Sequence, residues 1–185
     1  MIDGMSRSVE QVVDEILVMD CQSGRVKALE MLVSRWQKRL WRYAYHLTGD
    51  AEAAWDVTQE SWLGIIRGIS RLNDPAKFRA WAYQIVTNKA SDWIRRGNSP
   101  VQADTELVRR HGPPDQKQRE QIAGDLHGIL RLLPAQCRTV LSLYYLEEFR
   151  LAEVASILRI PEGTVKSRLH NARKEFKELW QQHCE

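Results

Sequence analysis

Between residues 162 and 176, eight polar or charged side chains fall on one side of a helical repeat: Thr164, Lys166, Ser167, Arg168, His170, Asn171, Arg173 and Lys174. Hydroxyl, amide and imidazole groups are mixed there with cations. Such a mixture reads base edges by hydrogen bonding while the cations neutralise phosphates. Lys166, Ser167, His170 and Asn171 are the candidate base readers; Arg168, Arg173 and Lys174 suit phosphate contacts. A second polar stripe lies upstream at Lys77, Ala80, Gln84, Asn88, Ser91 and Arg95, basic at both ends with amides between. Tyr83 stands near it, placed to stack on an exposed base. Asp56 and Glu60 lie one helical turn apart, a spacing that can hold a metal, but they lack a third ligand. P-loop, HExxH and nucleophile-elbow patterns are absent from the sequence, so a nuclease or other enzyme is disfavoured and neither cofactor nor metal is expected.

These side chains need helices to present them. Leu151, Val154, Ala155 and Leu158 recur at i, i+3, i+4 and i+7, one apolar helical face that Ile160 closes. Pro161 stops that helix, and Glu162 suits the positive end of the next. Val165, Leu169, Ala172 and Phe176 form the second helix's inner face, and the short break matches a helix-turn-helix. An ordinary solvated helix would carry similar charges, but not this helix and turn in front of it. Ile129, Leu132, Leu133, Val140, Leu141, Leu143, Tyr144 and Leu146 supply supporting faces, with Pro134 read as a first-turn residue of a helix through Tyr145.

The upstream stripe belongs to a helix from Ala76 to about Arg96, opened by the cap Asn73-Asp74-Pro75. Its inner side reads Phe78, Trp81, Ala82, Ile85, Val86, Lys89 and Trp93, with Lys89 expected at the edge. Before it, residues 25–47 form a long helix with Ala28, Leu29, Leu32, Trp36, Leu40, Tyr43, Ala44 and Leu47 inward. Gly49-Asp50 turns the chain into a helix from Ala51 to Ile69, with Ala54, Val57, Trp62, Ile65 and Ile66 as its apolar set. Ser8-Val9-Glu10-Gln11 has the form of a capping box. Strand signals are nearly absent, so the fold class is all-α: two small helical domains, the C-terminal one containing the helix-turn-helix. Between them the proline- and glycine-rich stretch 97–118 reads as a flexible linker.

The whole-chain numbers agree with a nucleic-acid binder. The 185 residues are 43% hydrophobic, enough for packed cores. Net charge is only +3 but unevenly spread: residues 1–24 carry one Arg against five acids, and residues 25–97 carry thirteen Lys/Arg against seven acids. The middle segment is the footprint of a polyanion-binding surface, and the acidic N-terminus is not expected to touch DNA. Cys21, Cys137 and Cys184 lie far apart without metal spacing and read as reduced thiols. No apolar run is long enough for a membrane span and no signal peptide is visible, so a cytoplasmic protein without membrane insertion is expected.

Three segments carry a family resemblance. DVTQESW resembles the D-x-x-Q-E-x-F signature in region two of bacterial sigma factors, and KFRAWAYQIVTNKASDWIRR is similar to the segment that follows it there. LAEVASILRIPEGTVKSRLHNARKEF resembles region four. Length and domain order resemble the small ECF (extracytoplasmic-function) group. The resemblance implies region two over residues 1–96, a linker over 97–124 and region four over 125–185. It implies core RNA polymerase and promoter DNA as partners, with no enzymatic activity. Asp56, Gln59, Glu60 and Trp62, the last replacing the usual Phe, would dock on polymerase. Arg71, Asn73, Lys77, Gln84, Asn88, Ser91, Arg95 and Arg96 would face the minus-ten element, with Arg71 to Lys77 matching the loop that captures a flipped base. Thr164, Lys166, Ser167, Arg168, His170, Asn171 and Arg173 would face the minus-thirty-five element. An anti-sigma partner covering the docking surfaces is a further implication. The alternative reading is a free-standing helix-turn-helix regulator, though a heptad seam for a dimer and a receiver-like βα pattern are both missing.

Overall fold

A computed structural model of the chain describes residues 9–97 and 126–184. The linker expected at 97–124 lies outside them apart from Gly97, as does Ser8 of the expected capping box. Among the described residues there are helices and turns but no strand.

Four helices build the N-terminal unit: α1 (Val9–Gln22), α2 (Val26–Thr48), α3 (Ala51–Gly68) and α4 (Phe78–Arg95). The stripe expected on α2 is its buried face, with Ala28, Leu32, Trp36, Leu40, Tyr43, Ala44 and Leu47 all inside. The face persists for six turns because its apolar residues recur near 3.6. Gly49 ends α2 in the left-handed conformation (φ 70°), its N–H bonding the Tyr45 carbonyl at 2.8 Å; a side chain is disfavoured at that angle. Asp50 then caps α3, its carboxylate accepting from the Ala53 N–H at 2.8 Å. Gly68, at the end of α3, lets the Trp81 ring of α4 approach so closely that a Cβ would lie 2.8 Å from it. A turn of 3-10 helix, Pro75–Lys77, leads into α4; Asp74 is its cap, directly before Pro75, and accepts from the Ala76 N–H at 3.1 Å.

The acidic first segment, unassigned from sequence, is a helix fastened to α2. Asp14 pairs with Arg35 at 2.8 Å, and the more exposed Glu10 with Arg39 at 3.3 Å. At its end Gln22 donates from Nε2 to the carbonyls of Ile69 (3.0 Å) and Leu72 (2.8 Å), tying α1 to the turn between α3 and α4.

The C-terminal unit comprises α5 (Leu126–Leu132), α6 (Ala135–Leu141), a π-helical turn (Ser142–Leu146), α7 (Leu151–Leu158) and α8 (Glu162–Cys184). Pro134 precedes α6 as its cap rather than standing in its first turn. Val154, Ile157, Val165, Leu169 and Ala172 close the core of the helix-turn-helix, and Phe176 packs at its margin. The turn is made by Arg159, a non-glycine residue with φ 54°. The two units are in contact: α7 lies on α4, and α5 and α6 lie on α2.

Replacing Asp50 with Ala removes the acceptor for one helix-end N–H and should cost about 1 kcal/mol of stability, read by urea unfolding. An unchanged midpoint would mean that the cap contributes nothing.

Candidate nucleic-acid interface

Helix α8 presents the polar face expected of it. Lys166, Ser167, His170, Asn171 and Lys174 are exposed, and Thr164 and Arg168 are half-buried. The apolar row Val165, Leu169 and Ala172 points the other way, so core packing sets the orientation of the readers. Ser167 bonds the Thr164 carbonyl at 3.0 Å within the first turn. Arg173 departs from a free phosphate contact. Its Nε donates to the Tyr145 hydroxyl at 2.7 Å, and its guanidinium lies 5.6 Å from that ring centre. There it lines an apolar groove of about 330 Å³ with Leu130, Leu141, Tyr145, Leu146 and Phe176.

On the N-terminal unit, Arg71, Asn73 and Lys77 are exposed around the turn before α4, and Asn88, Ser91, Arg95 and Arg96 are exposed along its outer side. Positions 84, 88, 91 and 95 form one line on the helix. Gln22 fixes the start of this surface by holding the backbone on either side of Arg71. Arg95 is paired with Asp92, and Lys77 lies 3.8 Å from Asp74, both pairs partly solvated. Pairs of this kind restrain cations weakly and leave them available to an incoming phosphate.

Two residues of this face stand elsewhere than expected. Tyr83 is 1% exposed, its ring 4.8 Å from Tyr43 and 4.9 Å from Phe149, so in this arrangement it is core and offers no face for a base. Gln84 is engaged by α7, donating to the carbonyls of Ser156 (3.1 Å) and Ile157 (3.3 Å) and accepting from Arg159 at 3.3 Å. Sequence spacing carried no sign of either contact, since each partner is forty or more residues away.

Helix α3 turns a third surface outward. Asp56, Gln59 and Glu60 are exposed on it, and Glu60 pairs with Lys89 of α4 at 3.0 Å. Trp62 is 7% exposed and belongs to the core, so it backs this surface rather than standing on it. Apolar side chains missed by sequence reasoning share the outer side: Trp55, Leu63 (53% exposed) and Ile66 (45% exposed), the last expected inside. Their excess over a strict inward stripe was the available signal. A face of exposed apolar groups among acids and amides fits a protein partner better than a polyanion. Among the described residues no cluster of three or more His, Cys, Asp or Glu could hold a metal, and no helix is long and apolar enough to cross a membrane.

Comparison with known proteins follows the same division. The Sigma-70 region 2 family pattern matches residues 32–99, and the Sigma-70 region 4 pattern matches residues 123–176. The ECF RNA polymerase sigma factor SigW of Bacillus subtilis is 27% identical over 173 residues, spanning 86% of this chain and 92% of that protein. SigE of Mycolicibacterium smegmatis, also an ECF sigma factor, is 30% identical over 158 residues, spanning 82% and 61%. Among solved structures, CnrH in complex with the cytosolic domain of CnrY superposes with a TM-score of 0.64 at 22% identity, covering 91% of this chain and 97% of that one. The sigma factor RpoE of Bartonella quintana, in complex with the anti-sigma factor NepR, superposes at 0.62 with 21% identity, covering 84% and 98%. With both regions matched in order on one chain and likeness to named members over most of this chain, the protein belongs to the ECF group of RNA polymerase sigma factors.

Proposed function

We propose that this chain is an ECF-type sigma factor that binds core RNA polymerase, recognises promoter minus-thirty-five and minus-ten elements, and promotes melting of the DNA for transcription initiation. The single observation that carries this reading is the order of a region 2 match and a region 4 match on one chain, the second coinciding with a helix-turn-helix whose outer face exposes Lys166, Ser167, His170 and Asn171. A free-standing regulator would have no use for the first region. Residues 1–96 serve polymerase docking and the minus-ten element, 97–124 tether, and 125–185 read the minus-thirty-five element.

The mechanism follows from where the groups stand. Helix α8 enters a major groove, with Lys166, Ser167, His170 and Asn171 towards base edges and Thr164 and Arg168 towards phosphates; Arg173 joins them once it leaves Tyr145. The turn carrying Arg71, Asn73 and Lys77 meets an unpaired minus-ten base, and the α4 stripe through Asn88, Ser91, Arg95 and Arg96 tracks the strand. Capturing an extruded base offsets part of the few kcal/mol that unstacking costs, so binding drives melting without nucleotide hydrolysis. The factor supplies no catalytic chemistry of its own. Asp56, Gln59 and Glu60, with Leu63 beside them and Trp62 behind, dock on polymerase. The protein works in the cytoplasm with polymerase, under an anti-sigma partner of the kind bound by RpoE. In vitro transcription with added core polymerase over a genomic fragment library tests the whole reading: defined start sites support it, and no selectivity over core alone rejects it.

Replacing Lys166 and His170 together with Ala should weaken discrimination of particular upstream bases by roughly 1–3 kcal/mol per good base contact, with core affinity unchanged; an unaltered promoter preference rejects those readers. Asn88→Ala, and independently Gln22→Glu, which swaps a donor for an acceptor facing two carbonyls, should slow open-complex formation more than they weaken polymerase binding. Loss of core affinity alone would contradict the placement of α4 and its turn. Leu63→Asp should weaken core association at least tenfold, about 1.4 kcal/mol, while helix content by circular dichroism is retained; wild-type affinity would move the docking surface elsewhere.

A further inference from the structure

The C-terminal unit carries a concavity whose apolar lining serves no base or phosphate contact. It is the groove of about 330 Å³ bounded by α5, α6, the π-helical turn and α8, with Leu130, Leu141, Tyr145, Leu146 and Phe176 in its walls. The π-helical turn shapes it. There the Glu147 N–H reaches back five residues to the Ser142 carbonyl at 2.9 Å. The widened turn keeps Ser142 and Leu143 in the core while Tyr145 stands out of it, 51% exposed. The Tyr145 ring is braced edge-on by Tyr144 at 4.9 Å. Phe176 of α8 supplies another wall and is stacked on Trp180 at 6.1 Å.

One charge enters this lining. Arg173 lies three residues before Phe176 and so on the same side of α8. Its Nε donates to the Tyr145 hydroxyl at 2.7 Å, which fixes the guanidinium beside the groove. Arg173 is exposed, so the cation stands at the solvent side, and among the described residues no carboxylate is paired with it. An arginine held through Nε keeps its Nη groups for an oxyanion. Volume then decides the size of ligand. The groove is near the lower end of the roughly 300–1,000 Å³ of small-molecule sites. It holds about eleven groups of about 30 Å³, the share of one water in the liquid and close to that of a methylene. A protein partner would need about 800 Å² per side and a polar rim. An apolar lining with one cation matches instead an amphiphile with a single anionic head.

We propose that this groove binds a medium-chain carboxylate, its tail among Leu130, Leu141, Leu146 and Phe176 and its head on the Arg173 guanidinium. Burial of the tail supplies affinity, and the charge-assisted pair with Arg173 selects an anion. The occupied site holds Arg173 against Tyr145 and engages its Nη groups, so the cation no longer reaches a DNA phosphate. The ligand thereby weakens reading of the minus-thirty-five element. That consequence rests on the sigma-factor reading above, whereas the site rests on the groove alone.

Titration calorimetry on the full chain tests the site with decanoate, decanol and decylamine, three heads on one tail. Decanoate should bind at a single site per chain, at least fivefold more tightly than decanol, and decylamine more weakly than decanol. Arg173→Gln should remove the preference for decanoate over decanol, and Leu146→Glu should weaken both. Circular dichroism reports folding, and Arg173→Gln, at an exposed helical position, carries the test if Leu146→Glu loses helix. Equal binding of decanoate and decanol, uptake that does not saturate, or an undiminished preference in Arg173→Gln overturns the site. With core polymerase bound, saturating decanoate should lower promoter affinity at least twofold. The slope of log affinity against log salt should become shallower by about 0.9, the value of one phosphate contact. An unmoved affinity and slope overturn the coupling to DNA. Failure of the chain to associate with core polymerase overturns instead the sigma-factor reading, and the calorimetry still decides the site.

Discussion

Everything this molecule presents to a partner hangs on one aromatic ladder between α2 and α4. Trp36 meets Phe78 edge-on at 5.4 Å and Tyr83 at 6.4 Å, and Tyr43 meets Tyr83 at 4.8 Å while its hydroxyl bonds Thr87 at 2.8 Å. Rings of this size bury large areas and interlock in few geometries, so they fix both the rotation and the height of α4. Once α4 is fixed, its polar line must face outward, α3 must lie alongside through Gly68, and the turn from Arg71 to Lys77 must stand at one end. Burial of Tyr43 and Tyr83 raises both phenols far above their ordinary range, so the ladder stays neutral and hydrogen-bonded at any working pH.

Much of the architecture was legible in the sequence, and the reason is periodicity. The buried faces of α2, α7 and the first half of α8 repeat near 3.6 without interruption, and Pro161, Gly49 and Asp50 mark boundaries by backbone chemistry alone. Lys89 was rightly expected at an edge, since a cation in an apolar row must reach solvent or an acid, and it does both. Ile66 misled because a single apolar residue beside a stripe looks the same whether it is core or an exposed contact. The role of α1 was hidden because its fastenings are long-range: Asp14 to Arg35, and Gln22 to carbonyls some fifty residues on. Tyr83 was misread for the same reason, its neighbours being supplied by α2 and by Phe149.

The polar contacts divide by burial. Lys89 with Glu60, Lys174 with Glu178 and Arg39 with Glu10 are solvated pairs that trim the surface charge pattern and contribute little to stability. Glu147 is of another kind: 6% exposed, it accepts from the Tyr83 hydroxyl and lies 3.9 Å from Arg42, a carboxylate removed from water and only partly compensated. Such a group adds little to net stability but discriminates strongly between having its partners and lacking them. The distinction separates residues that trim the surface from those that set how parts of the fold meet.

Arg159 makes a related trade visible at a single position. Its left-handed backbone is the conformation that glycine adopts with least strain, yet the position holds a long cation whose guanidinium reaches the Gln84 amide. A glycine there would relax the bend of the helix-turn-helix and at the same stroke cut a tether to the other half of the molecule. Backbone comfort and embrace are thus in opposition at residue 159, and the side chain present sacrifices the first to keep the second.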